Sequence, residues 1–217
     1  MEVSVVIPNF NGIAFLDSVL ASLEGQTLNN FEVILVDNGS TDGSCSFVTA
    51  NYPWVHLIEL SENFGFCGAV NAGIRAAKAP YVLLLNNDTE VKEDFVEEML
   101  AAIRRHKNAF SCGARMVQYH DRDKLDDVGN YYCALGWSFA RGRGKDIHAY
   151  ETEDRIFSAC AGAAIYRKKI LEKIGYFDEE HFAYLEDTDI GYRARIYGYE
   201  NWYAPKAIVY HVGSGTS

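Results

Sequence analysis

Three short apolar runs in this chain each stop at a cluster of Asn, Asp and Gly, and this pattern constrains the fold more than any other feature. Val3 to Ile7 (VSVVI) breaks at Pro8-Asn9-Phe10-Asn11-Gly12. Phe31 to Val36 (FEVILV) breaks at Asp37-Asn38-Gly39-Ser40, and Tyr81 to Leu85 (YVLLL) at Asn86-Asn87-Asp88. Runs that are apolar almost continuously, rather than at alternate positions, predict strands covered on both faces, as in a parallel sheet. The segments between them carry helical spacing. Apolar residues at 13, 16, 19, 20 and 23 predict a helix over Ile13 to Leu23, and those at 95, 96, 99, 100 and 103 one over Glu93 to Arg105. A short helix and then a strand near Val55 to Leu60 are expected in between, followed by a small-residue helix over Gly68 to Ala77. Strands alternating with helices imply an α/β domain: an open parallel sheet with helices on both faces.

The second half changes character. His120 to Asp127 and Arg141 to Asp154 are polar and read as surface loops. Ile156 to Tyr166 predicts a strand leading into a helix at Lys168 to Ile174. Glu186 to Tyr197 predicts a helix with Ile190, Ala194 and Tyr197 on one face, and Ala207 to Tyr210 a last short strand. No repeat or linker interrupts the 217 residues, which are read as one domain.

Composition narrows the function. A 48% hydrophobic content is enough for a substantial core, yet no apolar run approaches bilayer length, and no basic leader precedes Val3. The five cysteines are scattered without a Cys-x-x-Cys, which fits small buried residues in a reducing cytoplasm better than a zinc ribbon or redox pair. A net charge of −10 excludes a broad nucleic-acid footprint. It also means that any bound diphosphate needs a local positive source, such as a divalent metal.

Ligands of open parallel sheets sit at the carboxyl ends of the strands, where all three polar clusters fall. Each cluster alone is an ordinary turn signature, so their coincidence is the signal. Asp37 could accept hydrogen bonds from a ribose or a base imide. PNFNG lacks the spaced glycines of a dinucleotide-binding turn, which disfavours a dehydrogenase. Asp88 could ligate magnesium or manganese beside diphosphate oxygens, or simply cap the helix beyond. In Tyr184-Leu185-Glu186-Asp187-Thr188-Asp189, three carboxylates crowd together, with Arg193 and Arg195 within reach. Such a cluster is either a solvated helix start or a source of a general base.

Taken in order, PNFNG, VDNGSTDGS, ENFGFCGAVNAGIRAA, LLLNNDTEV, YLEDTDIGYRAR and the late His211 resemble glycosyltransferase family two, of the GT-A fold, with bacterial rhamnosyltransferases of cell-surface polysaccharide synthesis nearest in flavour. The resemblance runs from Val3 to His211. It implies a Rossmann-like, mostly parallel sheet with a smaller acceptor-side region, divided into a nucleotide-binding half (about 1–118) and an acceptor-binding half (about 119–217). It implies inverting transfer of a sugar from a nucleoside diphosphate, a UDP- or dTDP-sugar, to a hydroxyl of a saccharide or lipid-linked saccharide. Pro8, Asn9, Asn11 and Asp37 would then line the nucleoside pocket, and Asn63, Gly65 and Asn71 would close over it. Asp88 would be the last aspartate of the family's D-x-D motif, holding Mg2+ or Mn2+, with Asn87 beside it on the donor. Gly162 would lie against the transferred sugar and His211 would approach the diphosphate or the metal. Asp187 would be the base, and Glu186 would sit near the acceptor.

One departure stands out: Asn86 occupies the place of the first aspartate, which lowers the negative charge of the metal site. The resemblance also implies a cytoplasmic enzyme working at the inner face of the cell membrane, with peripheral membrane association. Relatives often continue beyond the point corresponding to Ser217. Two rival readings remain. A sugar-phosphate nucleotidyltransferase would want a glycine-rich, basic loop after the first strand, which is missing. A non-catalytic nucleotide-sugar-binding homologue would not need the intact carboxylate set.

Overall fold

A computed structural model describes residues 1–213. In chain order the elements are β1 (Val3–Asn9), α1 (Ile13–Glu24), β2 (Phe31–Asp37), α2 (Ser44–Asn51), β3 (His56–Glu59), α3 (Gly65–Ala76), β4 (Tyr81–Leu85), β5 (Thr89–Val91), α4 (Phe95–Arg105), β6 (Ala109–Gln118), β7 (Leu125–Asp127), β8 (Asn130–Tyr132), β9 (Ser138–Ala140), β10 (Asp154–Ile156), β11 (Ala163–Arg167), α5 (Lys168–Ile174), α6 (Glu186–Ile196) and β12 (Glu200–His211).

The main sheet runs β10-β12-β6-β11-β4-β1-β2-β3, with β5 on β12 and β7 on β6, while β8 and β9 form a separate hairpin. From β3 to β4 the sheet is parallel. β11 then runs against both β4 and β6, and β6 and β12 are parallel to each other. The sheet is therefore parallel in its first half and mixed in its second.

Its two faces explain the apolar runs. Val3, Val5, Ile7, Leu83 and Leu85 face a core shared with Leu16, Leu20, Phe95 and Met99 of α1 and α4. Val6, Ile34, Leu84 and Tyr166 face the other core, with Val70 and Ile74 of α3, Leu171 of α5 and Ile190 of α6. Gly73 lets α3 lie directly on the sheet, since a Cβ there would be 2.3 Å from Val6 Cγ1.

Four sequence expectations change. β6, nine of whose ten residues are buried, was not anticipated. Its Ala109, Ser111, Gly113 and Ala114 are small, and Arg115 interrupts them, so no periodic apolar signal marks it. The expected strand over Ile156 to Tyr166 divides into β10 and β11. The polar loop over His120 to Asp127 ends in β7, where Leu125 is fully buried. The short strand expected at Ala207 to Tyr210 is the end of the 12-residue β12. The register shift between Ala204 and Ile208 brackets Pro205, which has no N–H for the ladder.

Candidate active site

The carboxyl ends of β1, β2 and β4 meet at one edge, and their polar side chains bond to one another. Asn9 Nδ2 donates to Asp37 Oδ1 at 2.9 Å, and Asn87 Nδ2 donates to Asn9 Oδ1 at 2.7 Å. The Ser40 N–H reaches Asp37 Oδ2 at 2.9 Å. Asn11, at φ 48°, accepts from the Thr41 N–H at 2.9 Å, so the first two clusters are clamped together. Pro8 pairs with Val36 in the ladder and sets Asn9 opposite Asp37. Gly12 is required by this contact: a Cβ there would lie 2.2 Å from Asn87 Nδ2 and 2.5 Å from Asn9 Oδ1.

Asn63 and Gly65 are fastened to the same edge through Asn38, whose Nδ2 donates to Asn63 Oδ1 at 2.7 Å and to the Gly65 carbonyl at 3.0 Å. Asn71 is placed differently. It is buried, its Nδ2 donates to the Phe177 carbonyl at 2.8 Å and to Glu179 Oε1 at 2.9 Å, and its Oδ1 accepts from the Phe177 N–H. Its amide is occupied in anchoring the segment that leads into α6. Gly162 lies against Asn86, whose N–H donates to the Gly162 carbonyl at 2.8 Å.

Asp88 is 3% exposed, and its Oδ1 lies 3.3 Å from His211 Nε2. His211 Nδ1 is bonded in turn to Asp126 Oδ2 at 2.7 Å. Burial pulls the His211 pKa down, but the bonds to Asp126 and Asp88 outweigh it and lift it to about 9. The imidazolium thus acts as the positive charge between two carboxylates. Among the described residues, no group of three or more His, Cys, Asp or Glu side chains is arranged as a metal cage. The chemistry of Asp88 and His211 nevertheless fits a two-ligand site. A metal would displace the Nε2 proton that otherwise faces Asp88, leaving Nε2 to ligate while Nδ1–H still donates to Asp126, the usual orientation of a metal-bound imidazole.

A second group of carboxylates stands at the start of α6. Asp187 Oδ2 accepts from Asn130 Nδ2 at 3.1 Å, and Oδ1 accepts from Thr188 Oγ1 at 3.2 Å. Burial raises the Asp187 pKa, while the bonds from Asn130 and Thr188 oppose the rise. Glu186 is buried beside it. Burial, then the Asp187 charge, pushes Glu186 up to about 7, and its Oε2 has no hydrogen-bond partner among the described residues. Asp189 is committed to Arg193, with an Oδ2 to Nη2 distance of 2.7 Å, while Arg195 lies over the Phe157 ring. The two acidic regions are contiguous. Asp127, pushed up to about 8 first by burial, is raised further by Asp187 and lowered by His211.

Asp126, Asp127 and Asn130 were missing from the sequence reading. Asp126 and Asp127 end the stretch that reads as a polar loop and Asn130 follows just beyond it; β7 and β8 carry Asp126 to His211 and Asn130 to Asp187. The LDDVGN spacing was the available signal, because Asp127 Oδ1 accepts from the Gly129 N–H at 2.6 Å in a tight turn.

Residues 4–175 match the sequence model described as Glycosyl transferase family 2. Among curated relatives, an N-acetylglucosaminyl-diphospho-decaprenol L-rhamnosyltransferase of Mycobacterium tuberculosis (strain CDC 1551 / Oshkosh) is 27% identical over 95% of this chain and 75% of its own length. The fold matches S. aureus TarS with a TM-score of 0.71 at 22% identity, over 99% of this chain but 37% of TarS. It also matches GalNAc-T7, solved with UDP, GalNAc and Mn2+, with a TM-score of 0.81 at 16% identity, over 97% of this chain and 44% of that one. The two solved structures thus extend well beyond the length spanned here and share the GT-A architecture. With a family model covering most of its length, and with the sheet and strand-end clusters described above, this chain belongs to glycosyltransferase family 2 and is a glycosyltransferase.

Proposed function

We propose that the protein transfers a sugar from a nucleoside diphosphate, a UDP- or dTDP-sugar, to an acceptor hydroxyl with inversion at the anomeric carbon. The observation that carries this reading is Asp187: a half-buried carboxylate with raised pKa, oriented by Asn130 and Thr188, with its neighbour Asp189 neutralised by Arg193. A single displacement needs one base on the acceptor side and no acid, because a diphosphate is already a good leaving group. Asp187 takes the acceptor hydroxyl proton as the oxygen bonds to the anomeric carbon and the bond to the diphosphate breaks. Glu186, whose buried Oε2 has no hydrogen-bond partner among the described residues, offers a hydrogen-bond position for another acceptor hydroxyl.

On the donor side, Asp37, held by Asn9 and Ser40, with Pro8 and Asn11, binds the nucleoside. Asn63 and Gly65 border it, whereas Asn71 anchors the segment that leads into α6. Asn87, Asp88 and Gly162 face the sugar diphosphate. Asp88 and His211 would hold Mg2+ or Mn2+, which when bound neutralises charge growing on the departing diphosphate. The metal reading is supported by the Mn2+ and UDP in GalNAc-T7, and a lipid-linked saccharide acceptor by the name of the mycobacterial relative.

Thermal shift against UDP, dTDP and GDP, each with and without manganese, tests the donor side, because ligands that bind the folded state raise its melting temperature. Stabilisation by UDP or dTDP that falls in excess chelator is expected. Equal stabilisation in chelator would overturn the metal assignment, and none by any nucleotide would overturn the donor class.

A further inference from the structure

Asn86 puts a neutral amide where the D-x-D pattern has its first aspartate. The backbone at this point is fixed. The Asn86 N–H donates to the Gly162 carbonyl at 2.8 Å, and the Asn86 carbonyl accepts from Thr89 Oγ1 at 2.6 Å. The end of β4 is therefore held in place but is one negative charge short of a carboxylate pair. Glu90, the next carboxylate along the chain after Asp88, is engaged elsewhere, 3.2 Å from Arg122 Nη2.

A second carboxylate does reach the site, from a strand distant in sequence. His211 ends β12, where it pairs with Thr89 of β5 on one side and with Gln118 of β6 on the other. The pairing with β5 sets His211 beside Asp88, with Nε2 3.3 Å from Oδ1. β7 flanks β6 on the opposite side, with Met116 facing Asp127 and Val117 facing Leu125. Two consecutive residues of β6 thus face three of β7, and Asp126 is the one left out of the ladder. Such a bulge re-aims side chains and is common beside active sites. Here the Asp126 carboxylate reaches across β6, which separates the two backbones by roughly 10 Å, two strand spacings. It meets His211 Nδ1 at 2.7 Å, and the two side chains are only 14% and 15% exposed. A carboxylate so far withdrawn from water is costly unless it is paired.

We propose that Asp126 is a positioning residue of the metal site and supplies the negative charge that Asn86 lacks. It fixes the imidazole with Nε2 turned toward Asp88, and its charge, acting through Nδ1–H, makes that nitrogen a stronger donor. Asp88 and Asp126, joined by a neutral His211, then carry the charge of a two-aspartate motif, enough to balance one divalent ion. The inference rests on the metal reading above and adds to it a residue that the D-x-D pattern does not contain.

The test reads metal uptake, not turnover. Mn2+ is titrated into the natural chain with saturating UDP, and free Mn2+ is followed by its electron paramagnetic resonance. Asp126→Asn keeps the shape of the side chain and should weaken Mn2+ binding about 10–100-fold. Adding Asn86→Asp to Asp126→Asn should restore a large part of that loss. In a His211→Ala chain, which already binds Mn2+ weakly, Asp126→Asn should cost little more, because Asp126 acts through the imidazole. Asp126→Ser takes the place of Asp126→Asn if the latter does not fold.

Mn2+ affinity indifferent to Asp126→Asn would overturn the proposal, and a lowered melting temperature with that affinity intact would assign Asp126 to holding β7. An equal loss in the natural and His211→Ala backgrounds would overturn the positioning role. No recovery with Asn86→Asp would overturn the charge compensation. Failure of the metal reading itself looks different: the natural chain with UDP takes up no Mn2+, and UDP raises the melting temperature equally in chelator. That result would remove the metal and the role of Asp126 together.

Discussion

In the first half of the molecule, residues 1–118, the polar side chains at the strand ends satisfy one another; in the second half, from residue 119, the polar groups at the site are left in tension. Asp37 has both oxygens bonded, Asn9 bridges it to Asn87, and Asn38 ties in Asn63. On the other side, Glu186 is buried with one oxygen unsatisfied among the described residues, and burial raises both it and Asp187. Backbone strain divides the same way. Outside glycine, Asn11 is the described residue with positive φ in the first half, whereas Tyr150, Phe182, Tyr184 and Leu185 have it in the second, three of them just before Glu186. Each such residue costs on the order of 1–3 kcal/mol and persists only where its surroundings impose it. The strand-end edge, where the donor is proposed to bind, is thus a pre-assembled, rigid cradle. The start of α6 holds its carboxylates in an unfavourable state, which is what the proposed base would require near neutral pH.

This contrast breaks most readily at Asp187. Asp187→Asn should lower transfer by about 10²–10⁴-fold, with UDP binding unchanged. Asp189→Asn, which loses only the pair with Arg193, should cost far less. Steady-state transfer assays with isothermal titration of UDP check both, and a larger loss at Asp189 would move the base there.

Next in size is the sheet that both halves share. Leu84 is fully buried among α3-side residues, and Leu84→Ala should destabilise the fold by about 2–5 kcal/mol in urea melts. Because β4 pairs with both β1 and β11, one cooperative transition is expected for both halves. Two separated transitions would show that they fold independently.

A smaller effect is expected at the donor edge. Asp37→Ala leaves the Asn9 amide and the Ser40 N–H without their acceptor, so free UDP should bind weaker by about 1–3 kcal/mol, as much as the donor sugar does. Loss of sugar discrimination alone would remove Asp37 from the nucleoside.

The smallest signal sharpens the acceptor side. Glu186 is raised in the fold from 4.5 to about 7, so between these values the folded state holds a proton that the unfolded state has released. Stability should therefore fall as pH rises from about 4.5 to 7, by at most about 1.4 kcal/mol per unit from this group. Glu186→Gln should flatten that slope in melts at pH 5, 6 and 7. An unchanged slope would assign the tension to other carboxylates.

Much of the first half was legible because its signals are local. A strand covered on both faces must be apolar nearly throughout, and β1, β2 and β4 are. Their polar ends fall at one edge because parallel strands share a direction, so Asn9, Asp37 and Asp88 could be grouped before any contact was known. Helix α5 matches the expected Lys168 to Ile174, and α1 and α4 differ by at most two residues at an end. The ordered motifs carried the family in the same way.

What the sequence alone determined is therefore the α/β class, the strand-end clusters and the carboxylates at the start of α6, all written in runs of fewer than about fifteen residues. Tertiary structure alone decided which partners those groups have. Asp126 reaches His211 across 85 residues, Asn130 reaches Asp187 across 57, and Asn71 reaches Phe177 across 106. Periodicity cannot encode contacts at such separations, because they depend on how β7, β8 and the α6 approach pack around the sheet. The same packing, not any local rule, placed the small-residue strand β6 in the core and left the aromatic hairpin β8–β9 outside it.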